Sequence, residues 1–252
     1  MIKKYYNINA EGCSIRCKQY SNDARNIREI VLAMHGFGGN KEAMAVEHFA
    51  EKYLSKRKNA AVVIFDWPCH GEDGRKKLTL SDCDSYIRLT LEYLSKLYEG
   101  VVFYNYSTSF GGYMLLRYIH EYGNPFRKTV LRCPAIELYE LMITRLITPE
   151  KLEQLQAGKD VLIGFDREIK ISKSFIDELK ACDLMQFDFM DFADDILIIH
   201  GTKDDIVPID SGAKFADNNV IEFIPIEKAD HRFMEPTLMN LAIAKSLNFM
   251  FG

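Results

Sequence analysis

A chain of 252 residues with 48% hydrophobic and 27% charged residues has the size and composition of one α/β domain. Its formal charge of −4 and its pI near 5.9 leave no basic footprint for nucleic acid, and Lys56-Arg57-Lys58 and Arg75-Lys76-Lys77 read as solvated turns. No apolar run is long enough to span a bilayer, and the N-terminus lacks the apolar core of a secretory leader. Six scattered cysteines without a C-x-x-C pair fit free thiols in a reducing cytoplasm, not disulfides or a zinc site.

In chain order, weak alternation predicts two antiparallel edge strands, about Lys3–Asn9 and Ser14–Gln19. Ile30–Met34 is a near-continuous apolar run, as in a strand buried on both faces. It empties into His35-Gly36-Phe37-Gly38-Gly39, after which Asn40 caps a helix from Lys41 to about Lys56 that buries Met44, Ala45, Phe49 and Tyr53. A second buried strand, Ala60–Phe65, precedes a helix capped by Ser81 or Asp82. The run Val101–Tyr104 then turns through Ser107-Thr108-Ser109-Phe110-Gly111-Gly112 into a helix with Met114, Leu115, Tyr118, Ile119 and Tyr122 on its apolar face. Further strands are expected at Thr129–Cys133, Ile196–His200 and Val220–Ile226. Pro236 opens a last helix whose stripe is Leu238, Leu241, Ala242, Lys245 and Phe249. Strands alternating with helices predict a doubly wound, mostly parallel sheet, with ligands at the carboxyl ends of its strands.

The alternation breaks between Pro134 and Asp195, too long a stretch for a plain crossover. Two helical pieces, a hairpin around Asp166-Arg167 and a third helix, Ser174–Ala181, read as an inserted cap. The expected division is a core of residues 1–134 and 196–252 with a cap of residues 135–195 over its site. Tyr139, Met142 and Phe165 head the candidates to touch a ligand there; Phe175, Met185 and Phe187 are further candidates to line the cap.

A strand turning tightly into a helix holds the apex side chain out at the sheet edge, with the free helix amides pointing at the same place. Ser109 occupies that apex in S-x-S-x-G, where Ser107 stands in place of the usual glycine. A serine hydroxyl needs a base, and the base an orienting group. Two later strand ends supply both kinds: Gly201-Thr202-Lys203-Asp204-Asp205 and Ala229-Asp230-His231. An oxyanion hole needs two amides, and the N–H of Phe110 and the N–H of Phe37 are the candidates. His35, His70 and His200 read as structural, hydrogen-bonded histidines at strand ends, and His48 and His120 as solvent-facing residues on helices.

Together H-G-F-G-G (35–39), S-x-S-x-G-G (107–112), H-G-T-K-D-D-I-V-P (200–208) and A-D-H-R-F (229–233) resemble the signature blocks of the α/β-hydrolase superfamily. D-W-P-C-H-G (66–71) is similar to that family's D-x-x-G-H-G loop, with Cys69 where glycine is usual. The cap resembles that of small bacterial carboxylesterases, the cinnamoyl and feruloyl esterases included. The resemblance implies an α/β-hydrolase fold with Ser109 as nucleophile, His231 as base and Asp204, ahead of its neighbour Asp205, as the orienting acid. It implies hydrolysis of a small-molecule carboxylic ester with no metal or organic cofactor. Acylglycerol, thioester and peptide substrates remain open within the same chemistry, as does a non-catalytic binding protein that kept the shell.

Overall fold

The computed structural model describes residues 1–23, 25–164 and 167–252. The edge hairpin is real: β1 (Ile2–Ala10) and β2 (Cys13–Ser21) pair antiparallel from Ile2↔Ser21 to Ala10↔Cys13. β3 (Glu29–Met34) leads through the His35–Asn40 loop to α1 (Met44–Lys56), followed by β4 (Ala60–Phe65) and α2 (Leu80–Leu97). β5 (Val102–Thr108) feeds α3 (Phe110–Tyr122), and β6 (Thr129–Arg132) comes next.

The long insertion after β6 opens with α4 (Leu138–Leu141), which continues as a π-helical turn, Met142–Leu146. α5 (Pro149–Gln156), the two-stranded β7 (Val161–Ile163) and β8 (Ile169–Ile171), and α6 (Lys173–Ala181) complete it. Its apolar side chains join the core that packs α2 and α3. The chain then returns to the sheet with β9 (Ile196–Gly201), α7 (Ile209–Asn219), β10 (Glu222–Ile226) and α8 (Pro236–Phe251).

Among the described residues eight strands form one sheet in the order β1-β2-β4-β3-β5-β6-β9-β10. All its pairings are parallel except β1 with β2 and β2 with β4. Both faces are buried, because each central strand is apolar on both sides. Leu32, Met34, Val63 and Ile198 pack one face under α2, α3 and α7. Val31, Ala33, Val62 and Ile199 pack the other under α1 and α8. The carboxyl ends of β3, β5, β9 and β10 meet at one edge. No helix among the described residues is long and apolar enough to cross a membrane.

Several boundaries differ from the sequence expectation, each for a local reason. Asn40 does not cap α1. Its side chain accepts from the N–H of Glu42 at 2.8 Å, an Asx turn that delays the helix to Met44 and leaves Met44 largely exposed. Thr79, not Ser81 or Asp82, caps α2 by accepting from the Asp82 N–H at 3.1 Å. Val220 is not strand: it ends α7 in the left-handed region at φ 58°. In α8 the buried stripe is Met239, Ala242, Ile243, Ser246, Leu247 and Met250, rotated from the expected one, so Leu241 faces solvent. Tyr122 is likewise exposed at the end of α3.

Candidate active site

Ser109 sits between β5 and α3 at φ 52° and ψ −117°, a region that costs an L-residue free energy and persists only where its surroundings enforce it. Three glycines let backbone close around it. A Cβ on Gly36 would come within 3.3 Å of the Ser109 Cβ; one on Gly111 would meet the Met34 carbonyl oxygen at 2.6 Å, and one on Gly112 would meet Pro134 at 2.9 Å. Ser107, the departure from the usual elbow, is accommodated by a hydrogen bond from its Oγ to Asn105 Oδ1 at 2.7 Å. The Asn105 amide donates in turn to the Leu32 carbonyl at 2.9 Å.

Asp204 lies in the loop after β9 and His231 in the loop after β10. His231 Nδ1 is 2.7 Å from Asp204 Oδ2, while Asp204 Oδ1 accepts the N–H of Ile206 at 3.0 Å and of Val207 at 2.8 Å. His200 Nε2 stands 3.1 Å from the same Oδ2 and 3.1 Å from the Val207 carbonyl, so its proton faces two acceptors. Burial pushes the Asp204 carboxyl up, but the hydrogen bonds from His200, His231 and Val207 outweigh it and hold the group well below the usual carboxylate range. Asp205 makes no hydrogen bond or ion pair with His231, and the Asp230 carboxylate accepts the Met234 N–H at 3.0 Å instead. Cys133 Sγ, His200 and Asp204 offer ligand atoms within 4.8 Å of one another. Burial raises the Cys133 thiol, and the Asp204 carboxylate there already accepts from two backbone amides and two imidazoles.

Ser109 and His231 line one cavity of about 510 Å³, together with Phe37 and Phe110. No hydrogen bond joins the Ser109 hydroxyl to His231 here; without a ligand such contacts are commonly long. Among the described residues the N–H groups of Phe37 and Phe110 make no hydrogen bond either. The loop carrying Phe37 is held by a knot built on the buried Asp66 and Lys41. Asp66 Oδ1 accepts the Lys41 N–H at 2.6 Å, Asp66 Oδ2 accepts the Glu72 N–H at 2.8 Å, and Lys41 Nζ reaches both carboxylates. Gly71, at φ 54°, has to be glycine there, because a Cβ would fall 2.1 Å from the Asp66 carboxyl carbon. Cys69 adopts the glycine-type φ of 66° in that loop, its N–H held by Asp73 at 2.9 Å.

His35 and His70 pack beside this loop with ring centroids 5.6 Å apart. Burial depresses His35 to about 4, against a hydrogen bond to the Gly36 carbonyl, and depresses His70 to about 3. Both stay neutral and structural near pH 7. His48 pairs with Asn240 at 2.7 Å, and exposed His120 stacks on Phe187 at 3.7 Å.

On the insertion side, Leu138, Leu141, Met142 and Leu146 line the cavity. Tyr139 does not: Leu138, Leu141 and Met142 are three and four residues apart and share one helix face, which turns Tyr139 toward Lys180, whose Nζ is 6.0 Å from the ring. Phe165 lies outside the described residues. Phe175 is in the core, and neither Met185 nor Phe187 lines the cavity. Sequence reading missed Arg132, Arg167 and Arg232, which also line it. The one available signal was an arginine inside the apolar run T-V-L-R-C-P.

The model of the serine aminopeptidase S33 family matches residues 25–159, and that of the prolyl oligopeptidase family matches residues 106–252. No sequence among the curated proteins is a significant match. Among solved structures, Est1E from Butyrivibrio proteoclasticus with bound ferulic acid is similar at TM-score 0.79 and 17% identity, covering 98% of both chains. A soluble variant of monoglyceride lipase from Saccharomyces cerevisiae in complex with a substrate analog gives 0.77 at 14% identity, over 99% of this chain and 95% of that one. Alpha/beta hydrolase domain-containing protein 10 from mouse gives 0.70 at 18% identity, over 98% of each chain. With a strand–serine–helix turn at the centre of a mostly parallel sheet, and family matches that each take in more than half of its length, the chain belongs to the α/β-hydrolase superfamily.

Proposed function

We propose that the protein is a serine hydrolase that cleaves carboxylic esters through an acyl-enzyme. Ser109 Oγ attacks the ester carbonyl while His231 Nε2 takes its proton, and Asp204 holds the ring in the tautomer that leaves Nε2 free to do so. The N–H groups of Phe37 and Phe110 receive the developing oxyanion; losing one such donor typically costs about 3–4 kcal/mol. His231 then protonates the leaving alcohol, and water repeats the sequence to free the acid. The insertion is the cap, and its Leu138, Leu141, Met142 and Leu146 form the apolar wall against the substrate. Every step uses a side chain or amide of this chain.

The observation that carries this reading is the 2.7 Å contact between His231 and Asp204 in the cavity that also holds Ser109. The feruloyl-type neighbour and the acylglycerol lipase neighbour favour an ester. The family models favour a second reading, peptide hydrolysis. An aminopeptidase must hold a free ammonium, and among the described residues no aspartate or glutamate lines the cavity. Ester cleavage is therefore the stronger reading. A fluorophosphonate probe tests it: wild type is labelled and Ser109→Ala is not, and aryl esters are turned over faster than aminoacyl anilides. An unlabelled wild type overturns it, and faster amide cleavage overturns the ester assignment.

A further inference from the structure

The cavity beside Ser109 is lined by three arginines and, among the described residues, by no carboxylate, although the chain carries a formal charge of −4. Arg167 and Arg232 are exposed. Arg132 is not. It ends β6, paired with Thr108 one residue before Ser109, and is 5% exposed. Its Nε and Nη1 have no hydrogen-bond partner, and Nη2 reaches Thr108 Oγ1 at 3.4 Å, the weak end of the range. Its guanidinium carbon is 5.1 Å from the Phe233 ring centroid, and no carboxylate pairs with it among the described residues. Arginine stays protonated. A positive charge has thus been withdrawn from water with only a ring face, one long hydrogen bond and the neutral Tyr106 hydroxyl nearby in return, which is costly unless an anion completes the site.

A second observation points the same way. Ala43, Met44, Ala45 and Val46, the start of α1, line the same cavity. That helix has no side-chain cap, and its first hydrogen bond within the turn is from Val46 to the Ala43 carbonyl at 3.0 Å. Among the described residues the N–H groups of Met44 and Ala45 make no hydrogen bond. The open start of a helix adds positive potential and two donors to the space that Arg132 borders.

We propose that Arg132 and the open start of α1 form a carboxylate-binding subsite, so that the preferred substrate is an ester carrying a free carboxylate within reach of the scissile carbonyl. This rests on the esterase reading and names its substrate class. The planar guanidinium matches a two-oxygen anion. The apolar wall of Leu138, Leu141, Met142 and Leu146 takes the carbon chain between the two carbonyl groups.

The test compares monomethyl succinate, glutarate, adipate and suberate with neutral methyl esters of equal chain length. The readout is the ratio of the two kcat/KM values within one protein, so a general loss in a variant cancels. In wild type the ratio should favour at least one hemiester by about tenfold to a hundredfold, the scale of charge-assisted hydrogen bonds, and should fall only slightly as salt is added, because a buried pair is screened far less than a surface one. Arg132→Met should bring it to about one, and Arg132→Lys should recover part of it. Calorimetric binding of the free dicarboxylates to Ser109→Ala needs no turnover. Binding there that Arg132→Met abolishes, with no ester hydrolysed, keeps the subsite and removes the esterase reading. Neutral esters hydrolysed at a wild-type ratio near one, unmoved by Arg132→Met, removes the subsite and keeps the esterase. Should Arg132→Met not fold, the wild-type ratio decides alone, and a ratio near one overturns the proposal.

Discussion

Asp204→Asn removes one charge and almost no volume, so its effect is set by the groups that surround the carboxylate. Four donors converge there: two backbone amides at Oδ1 (3.0 and 2.8 Å) and two imidazoles at Oδ2 (2.7 and 3.1 Å). Asparagine has a single accepting oxygen. The amides of Ile206 and Val207 can only donate, so the oxygen goes to them and the NH2 group turns toward the histidines. His231 must then offer a lone pair at Nδ1, which moves its proton to Nε2. In that tautomer the ring cannot take a proton from Ser109. The expected loss in kcat is about 10⁴-fold, about 5 kcal/mol of transition-state stabilisation, with KM little changed because no substrate contact is lost. Initial rates on p-nitrophenyl butyrate, with a thermal melt to verify folding, measure it. Asp205→Ala serves as the control and should leave kcat near wild type. A folded Asp204→Asn protein that keeps more than about a tenth of the wild-type kcat, about 1.4 kcal/mol of loss, would refute the tautomer argument. A large loss in Asp205→Ala would move the orienting role to the neighbouring acid.

Three other perturbations have defined outcomes. His35 and His70 are held neutral, with folded pKa values near 4 and 3 against an unfolded value near 6.5. The unfolded chain therefore takes up protons first, so stability falls as pH drops below 6.5, and for His35 alone the loss by pH 4 is on the order of 3 kcal/mol. Urea melts from pH 7 to pH 4 should show it, and its attenuation in His35→Gln assigns it; a flat profile contradicts the assignment. Gly111→Ala drives a Cβ to 2.6 Å from the Met34 carbonyl oxygen and should destabilise by about 1–3 kcal/mol; an unchanged Tm would show that β3 can yield. Cys69→Gly relieves a left-handed φ of 66°, about 1–2 kcal/mol, against about 0.4–1 kcal/mol of added unfolded-chain entropy. Its Tm should rise slightly, and a lower Tm would mean that the packing of the thiol outweighs the strain.

The strands were legible because β3, β4 and β9 are apolar on both faces, a pattern few other environments produce. The candidate site was legible for a related reason: serine, acid and histidine each come directly after a strand, and parallel strands bring their carboxyl ends to one edge. Helix starts were not legible. Asn40 and Ser81 have good capping side chains, and only the path of the backbone decides that Asn40 closes an Asx turn while Thr79 caps. The ligand side was the least legible. Whether Tyr139 or its neighbours face the cavity depends on how one short helix rotates as it docks. The reading of β6 as simply apolar passed over Arg132, because a charge at a strand end gains its meaning from a cavity that only the assembled sheet creates.

The knot of Asp66, Lys41 and Glu72 has a consequence for how this molecule can change. It fastens the turn after β3 to the turn after β4 from beneath, using residues that belong to neither the insertion nor the cavity lining. The amide of Phe37 therefore takes its bearing chiefly from the sheet, and the insertion adds to this through Arg167, whose Nη2 donates to the Gly71 carbonyl at 2.8 Å. Changes of chain between β6 and β9 that spare Arg167 leave the turn after β3 fastened to the turn after β4. On the proposed hydrolase reading, selectivity and reactivity would then be adjusted largely, though not wholly, by different parts of one polypeptide.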